Sequence, residues 1–360
     1  MGGGSWDVGS YTSRVSAARA SGKSTFDYDD NVRKGKVSGV NPLLNPTVKA
    51  GTASPFAGKI MREVCVTDEH PDPTAILVLL DVTGSNIEQA RVVHTALPRL
   101  QKYLSDGGFC NDPQINVSAV GDAYSDKYPL QFGQYESDNR LDDQIAALVL
   151  EGNGGGQQRE TYELGAYMAA RHVHQEPYEL YGKKGFVFLI GDEMPYREIP
   201  NSFEDGGRYG GFYRGSGGSR HTLESLTGDT TPEPISTKAV FDELKEKNHV
   251  FFLFQAQGAY SASQIVPEWN ELLGAENVVI LESPGQVVEV IAGLVARFAS
   301  SLDASATESA MLSAGGDTRA VKSALKAIAK YTPPSNTGGS GVVAVADSDL
   351  DIGSAGADRL

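Results

Sequence analysis

Three oxygen-bearing side chains, Asp81, Thr83 and Ser85, stand two apart in "LLDVTGSN" (79–86), with Gly84 between the hydroxyls. They end an apolar run from Ala75 to Leu80. A second such run, "GFVFLIGD" (185–192), ends in Asp192 and Glu193. Between them, "GNGGGQQRET" (152–161) offers Gln157, Glu160 and Thr161. Carboxylates and hydroxyls are hard oxygen donors, which suit Mg²⁺ or Mn²⁺ and not zinc. Mg²⁺ gives up its waters reluctantly, so a site with few protein ligands keeps positions that a carboxylate from another molecule can fill. Each residue taken singly has an ordinary reading: Asp81 or Ser85 as a helix cap, Asp192 as a turn former before Pro195. Three strand ends carrying matched oxygen ligands favour the cation.

The elements that must position them can be read from periodicity. Ala75–Leu80 is continuously apolar, as in a central strand covered on both faces. Ile87, Ala90, Val93, Leu97, Leu100 and Leu104 recur at helical spacing, with Pro98 expected to kink or break that helix. "INVSAVGD" alternates as a strand, "PLQFGQY" reads as a short edge strand, and "RETYELGAYMAARHV" as a helix. After 185–192, "KAVFDELKEKN", "PEWNELLG" and "GQVVEVIAGLVARFASSL" read as helices, and "HVFFLFQ" and "NVVIL" as strands. Strand and helix alternate from 75 to 302, which predicts an α/β domain with a Rossmann-like, doubly wound, mostly parallel sheet flanked by helices. In such a sheet ligands bind beyond the carboxyl ends of the strands, where the three polar loops would meet.

"DVTGSN" resembles the D-x-[ST]-x-S signature of the von Willebrand factor A (VWA) domain family, and the strand–helix order over roughly residues 74–300 is similar to that fold. The resemblance implies a metal-ion-dependent adhesion site (MIDAS) holding Mg²⁺ or Mn²⁺, with Asp81, Thr83 and Ser85 from the first loop and Asp192 from the third. The family's T-x-x-x-G-A helix start matches "TYELGA" and nominates Thr161 from the second. Thr83 stands where serine is commoner, and the second loop is longer than in many members, so Gln157 and Glu160 are alternatives to Thr161. The later "GGGQ" and "GDEMPY" resemble stand-alone bacterial and bacteriophage members. The resemblance implies cation-dependent protein binding without catalysis, the partner supplying an Asp or Glu. Intracellular members work beside AAA+ ATPases of the MoxR or chelatase type, and phage members act in assembly or host interaction.

Rival signals are weaker. "DVTGS" also resembles the aspartyl-phosphate loop of haloacid dehalogenase-like phosphatases, with Asp81 as nucleophile. The second acid that chemistry requires is missing from "GDEMPYRE". Gly22-Lys23-Ser24 is a fragment of a phosphate loop, but position 17 is alanine and no strand precedes it. Gly215-Ser216-Gly217 falls one residue short of a nucleophile elbow, and no Ser, His and Asp set stands in a recognisable local context.

The 360 residues carry a net charge of -15, which argues against nucleic-acid and anionic-membrane partners. Residues 1–60 hold eight Lys or Arg against four Asp, a basic arm of +4 on a body of -19. Cys65 and Cys110 form neither a disulfide framework nor a zinc spacing. With no 18-residue apolar run and no leader pattern in "MGGGSWDVGS", a cytoplasmic location is expected. The predicted layout is an extended arm (1–72), the α/β domain (73–302) with an insertion at 193–237, a helical segment (303–331) and a disordered acidic tail (332–360). The insertion mixes Arg208, Arg214 and Arg220 with Tyr209, Phe212 and Tyr213, residue types common at contact hot spots.

Overall fold

A computed structural model describes residues 5–84, 86–152, 158–203, 221–300 and 302–331. Six strands form the central sheet: β1 (Thr74–Asp81), β2 (Pro113–Val120), β3 (Leu130–Gln131), β4 (Gly185–Gly191), β5 (Asn248–Gln255) and β6 (Val278–Leu281). Their order across the sheet is β6-β5-β4-β1-β2-β3, parallel throughout except for the short antiparallel edge β3. The chain therefore winds outward from β1 in both directions, and the switch point lies between β1 and β4.

Every residue of β1 is buried because helices cover both faces. Ile76, Val78 and Leu80 join one apolar cluster with α3 (Ile87–Leu104), α10 (Val287–Ala299), α11 (Ala304–Ser313) and α12 (Thr318–Ala327). Leu77 and Leu79 point the other way, into a cluster with α5 (Tyr162–Arg171), α8 (Thr237–Lys247) and α9 (Ala262–Leu273). The period-2 alternation of the strand explains why one apolar run serves two cores. Shorter helices α4 (Arg140–Ala146), α6 (Glu176–Tyr181) and α7 (Leu223–Thr227) complete the connections. Among the described residues no helix is long and apolar enough to cross a membrane.

The arm differs from the extended segment expected. It contains α1 (Val8–Ala20) and α2 (Asp27–Arg33). α1 has no buried residue and no apolar stripe, which is why periodicity misses it. It is held instead by its Asp7 cap, whose carboxylate accepts the Ser10 N–H at 2.7 Å, and by polar docking at its start. Trp6 Nε1 donates to Asp142 at 2.9 Å and Arg14 pairs with Asp143 at 2.6 Å.

Pro98 does not break α3, which runs from Ile87 to Leu104. Proline has no N–H to offer the carbonyl four residues earlier, that of His94. The Tyr11 hydroxyl of α1 donates to that carbonyl at 3.2 Å, so the arm supplies the bond that the proline withholds.

The described flanks of the insertion form short strand pairs. Ser202–Phe203 pairs with His221–Thr222, and Glu198–Ile199 with Ile235–Ser236, burying Tyr196, Ile199, Phe203 and Leu223. Its centre, with Arg208, Tyr209, Phe212, Tyr213, Arg214 and Arg220, lies outside the described residues, as do Gly215-Ser216-Gly217 and the tail from 332.

Candidate metal centre

Parallel pairing of β1 with β4 sets Leu80 opposite Ile190, so Asp81 and Asp192 leave the sheet side by side at the switch point. This is where an open α/β sheet has its natural crevice. Both carboxylates are fully buried.

Asp81 is held by the loop it opens. Its Oδ1 accepts the Thr83 N–H at 2.8 Å and the Thr83 hydroxyl at 2.6 Å. Its Oδ2 accepts from Asn86 Nδ2 and from the Tyr162 hydroxyl, both at 2.8 Å. The Asn86 amide also donates to Asp192 Oδ1 at 2.5 Å, so one side chain bridges the two carboxylates. Asp192 Oδ2 accepts the Ala259 N–H at 2.5 Å. Two glycines permit these approaches. A Cβ on Gly191 would stand 1.9 Å from the Tyr162 oxygen, and one on Gly258 2.0 Å from Asp192 Oδ2.

Thr161 precedes α5 and is fully buried, but it bonds to the loop after β2. Its N–H and hydroxyl both reach the Gly121 carbonyl, at 3.1 and 2.5 Å. A Cβ on Gly121 would lie 3.6 Å from the Thr83 methyl carbon, so Thr83 and Thr161 approach the same turn from two loops. A threonine that donates its proton to a carbonyl keeps oxygen lone pairs for another partner. Ser85 and Gln157 lie outside the described residues.

Glu160, also fully buried, has no hydrogen-bond donor on either carboxylate oxygen among the described residues. Burial, together with the charges of Asp81, Glu193 and Asp122, raises its pKa well above the usual carboxylate range. Glu193 follows Asp192 and is its close neighbour. Burial pushes Glu193 up to about 7, against the pull of its contact with Glu160 and with help from Asp81 and Asp192. Asp81 rises to about 6, chiefly by burial and then by the charge of Asp192, although the bonds from Thr83 and Tyr162 oppose the shift. Asp126, on the Gly121 turn, rises to about 8 by burial and by Glu151, Asp122 and Asp81. Several carboxyls thus crowd one end of the sheet, and among the described residues no Lys or Arg forms an ion pair with Asp81, Glu160 or Glu193.

Buried acid without a positive partner either holds protons or draws in a cation. Among the described residues, however, no three His, Cys, Asp or Glu side chains stand as a ready cage for an ion. The donor set that does converge has two carboxylates, with the hydroxyl of Thr83 on one of them, and Asn86 between. Its chemistry, carboxylates beside hydroxyls, would suit a hard cation. Of the residues predicted from sequence, the structure brings Asp81, Thr83 and Asp192 into one network. It places Thr161 against the adjoining turn and Glu160 in the surrounding acid cluster.

Sequence reasoning misses Asn86 and Tyr162 as members of the site, and it notes Glu193 at the strand end without giving it a role. Asn86 reads as a helix start and Tyr162 as a core aromatic, and nothing local marks either as a ligand to Asp81.

No protein-family model matches the chain, and no curated protein matches it. Among solved structures, the pilus adhesin SpaC from Lactobacillus rhamnosus GG in its open conformation is similar at 16% identity and a TM-score of 0.42. The match covers 66% of this chain and 31% of that one. Proximal thread matrix protein 1 from the mussel byssus is similar at 13% identity and a TM-score of 0.38, over 62% of this chain and 47% of that one. Another structure of the mussel protein, with a zinc occupied MIDAS motif, gives a TM-score of 0.37 over the same shares. The chain thus spans less than half the length of either protein, and likeness of this degree assigns it to no family.

Proposed function

We propose that the chain is a divalent-cation-dependent protein-binding module with a VWA-type fold and a MIDAS-type site. The observation that carries this reading is the meeting of Asp81 and Asp192 at the switch point, within a cluster of buried acids. Thr83, Ser85 and Thr161 would hold Mg²⁺ or Mn²⁺ through hydroxyls, and Asp81 and Asp192 directly or through water. Gln157 and Glu160 are the alternatives to Thr161. Bound there, the ion supplies an unfilled coordination position that a partner's Asp or Glu completes. Hydroxyl ligands add no charge, so that position stays attractive to an anion. Tyr162 and Asn86 orient Asp81, while the apolar layers on both faces of β1 fix where its tip lies.

This binding requires no catalytic step. The phosphotransfer alternative needs Asp81 as a nucleophile, yet both its oxygens are engaged and the residue is buried. A protein presenting an acidic side chain is the partner this reading calls for. An AAA+ ATPase of the MoxR or chelatase type and a phage assembly or host-interaction protein are the two candidate classes, in a bacterial or phage cytoplasmic setting.

The test is capture of partners from a lysate by the full chain in Mg²⁺ and in EDTA, read by mass spectrometry, beside titration of Mg²⁺ and Mn²⁺ by calorimetry. Asp81→Ala should abolish both the heat of cation binding and the Mg²⁺-dependent partners. Unchanged cation affinity in Asp81→Ala would sink the reading, as would a set of partners indifferent to EDTA.

A further inference from the structure

At the opposite end of β1, a different set of side chains converges. His70 lies in the turn before β1, Asp112 immediately before β2, and Ser137 just past the bridge between Ile115 and Glu136. His70 Nδ1 lies 2.6 Å from Asp112 Oδ1, and His70 Nε2 lies 3.3 Å from Ser137 Oγ. All three line one cleft of about 740 Å³, whose walls also include Lys102 and Trp6.

We propose that Ser137, His70 and Asp112 form a nucleophilic site that hydrolyses acyl esters. Three observations support it. The hydrogen bonds run in the order that such chemistry needs, carboxylate to imidazole to hydroxyl, and the last is only slightly long, as is common before substrate is bound. Asp112 holds a φ of +44°, a costly conformation for a residue other than glycine, and strain of this kind gathers at functional sites. The relay opens on a cleft large enough for a small ester, where a purely structural relay would be packed shut.

The cleft carries both signs of charge, Asp7 and Asp106 beside Arg99 and Lys102. Arg99 is committed to Glu289 at 2.7 Å, whereas Lys102 is exposed and pairs with no carboxylate among the described residues.

The reaction balances without a cofactor. Asp112 accepts a hydrogen bond from the Nδ1–H of His70, which fixes the tautomer with Nε2 free to act as the base. Ser137 Oγ attacks the ester carbonyl as its proton passes to Nε2. The ester C–O bond breaks, the leaving alkoxide takes that proton, and an acyl-serine remains. Water, deprotonated by His70, then cleaves the acyl-serine to a carboxylic acid and restores the hydroxyl.

The full chain is treated with a fluorophosphonate probe, and the adduct is located by tandem mass spectrometry. Turnover is followed with the p-nitrophenyl monoester of glutaric acid beside p-nitrophenyl acetate. A single adduct on Ser137 is expected. Ser137→Ala should lose both adduct and turnover, and His70→Gln should lower both by about tenfold or more, with thermal midpoints recorded to separate misfolding from lost chemistry. EDTA should change none of these, because the metal centre lies at the other end of the strand. The proposal is overturned by an unlabelled Ser137 in the wild-type chain, or by equal turnover in wild type and Ser137→Ala; the relay then only pins the loops.

Discussion

Arg62 and Glu160 are both ionisable groups sealed from water, and they could hardly be treated more differently. Arg62, 2% exposed, spreads its guanidinium over six backbone carbonyls, those of Asn45, Pro46, Val48, Met61, Phe132 and Gly133. Burial lowers its pKa to about 10, still far above neutrality, so it remains a cation. Glu160 has no donor on either oxygen among the described residues and is surrounded by other acids. The first region is complete: the fold supplies every acceptor and staples the arm to the turn after β3. The second is incomplete in its own chain, and a region that the fold leaves electrostatically unfinished is where an external ligand gains most.

Removing Arg62 should break this contrast with the largest effect. Arg62→Leu keeps an apolar stem but strands the carbonyls, which no side-chain change can delete. A loss of about 3–5 kcal/mol is expected, read as a fall in the urea midpoint. A cost under about 1 kcal/mol would mean that water replaces the guanidinium and that the cage is not structural.

The acid cluster should respond to pH in the direction its raised pKa values dictate. Glu193 at about 7 and Asp126 at about 8 hold protons in the folded chain that the unfolded chain has already released. Their stabilising contribution is present at low pH and is lost as pH rises through these values. Stability in EDTA should therefore fall by roughly 1–2 kcal/mol between about pH 6.5 and 8.5. Mg²⁺ should flatten that slope by favouring the ionised cluster. The window excludes His94 and His249, each lowered to about 4 by burial, whose effect runs the other way at lower pH. A rising slope in EDTA would contradict the assignment.

The smallest effect sharpens how the arm is attached. Tyr11→Phe removes only the hydroxyl that serves the His94 carbonyl left open by Pro98. A cost of about 1 kcal/mol or less is expected, together with faster hydrogen exchange in α1. Exchange unchanged in α1 would mean that Trp6 and Arg14 hold the helix alone.

Much of this was legible in the chain itself. The apolar runs at 75–80 and 185–190 mark buried strands because both faces are covered, and the acids at their tips stand out because a buried run ends on them. Asn86 and Tyr162 were illegible for a different reason. Asparagine before a helix and an aromatic in an apolar stripe are what caps and cores use everywhere, so their bonds to Asp81 leave no local trace. α1 escaped because it is held by caps and docking, without an apolar face for periodicity to detect.

The sequence alone determined that β1 and β4 exist, that helices wrap them, and that Asp81 and Asp192 end them. These are properties of short stretches, written in side-chain period and polar punctuation. Only the tertiary structure decided that β4 lies beside β1, which puts the two aspartates on one asparagine. It likewise decided that His70, Asp112 and Ser137, remote along the chain, share one cleft. Strand order and loop packing bring such residues together, and they depend on burying two cores at once, a free-energy balance over the whole chain that no local spacing records.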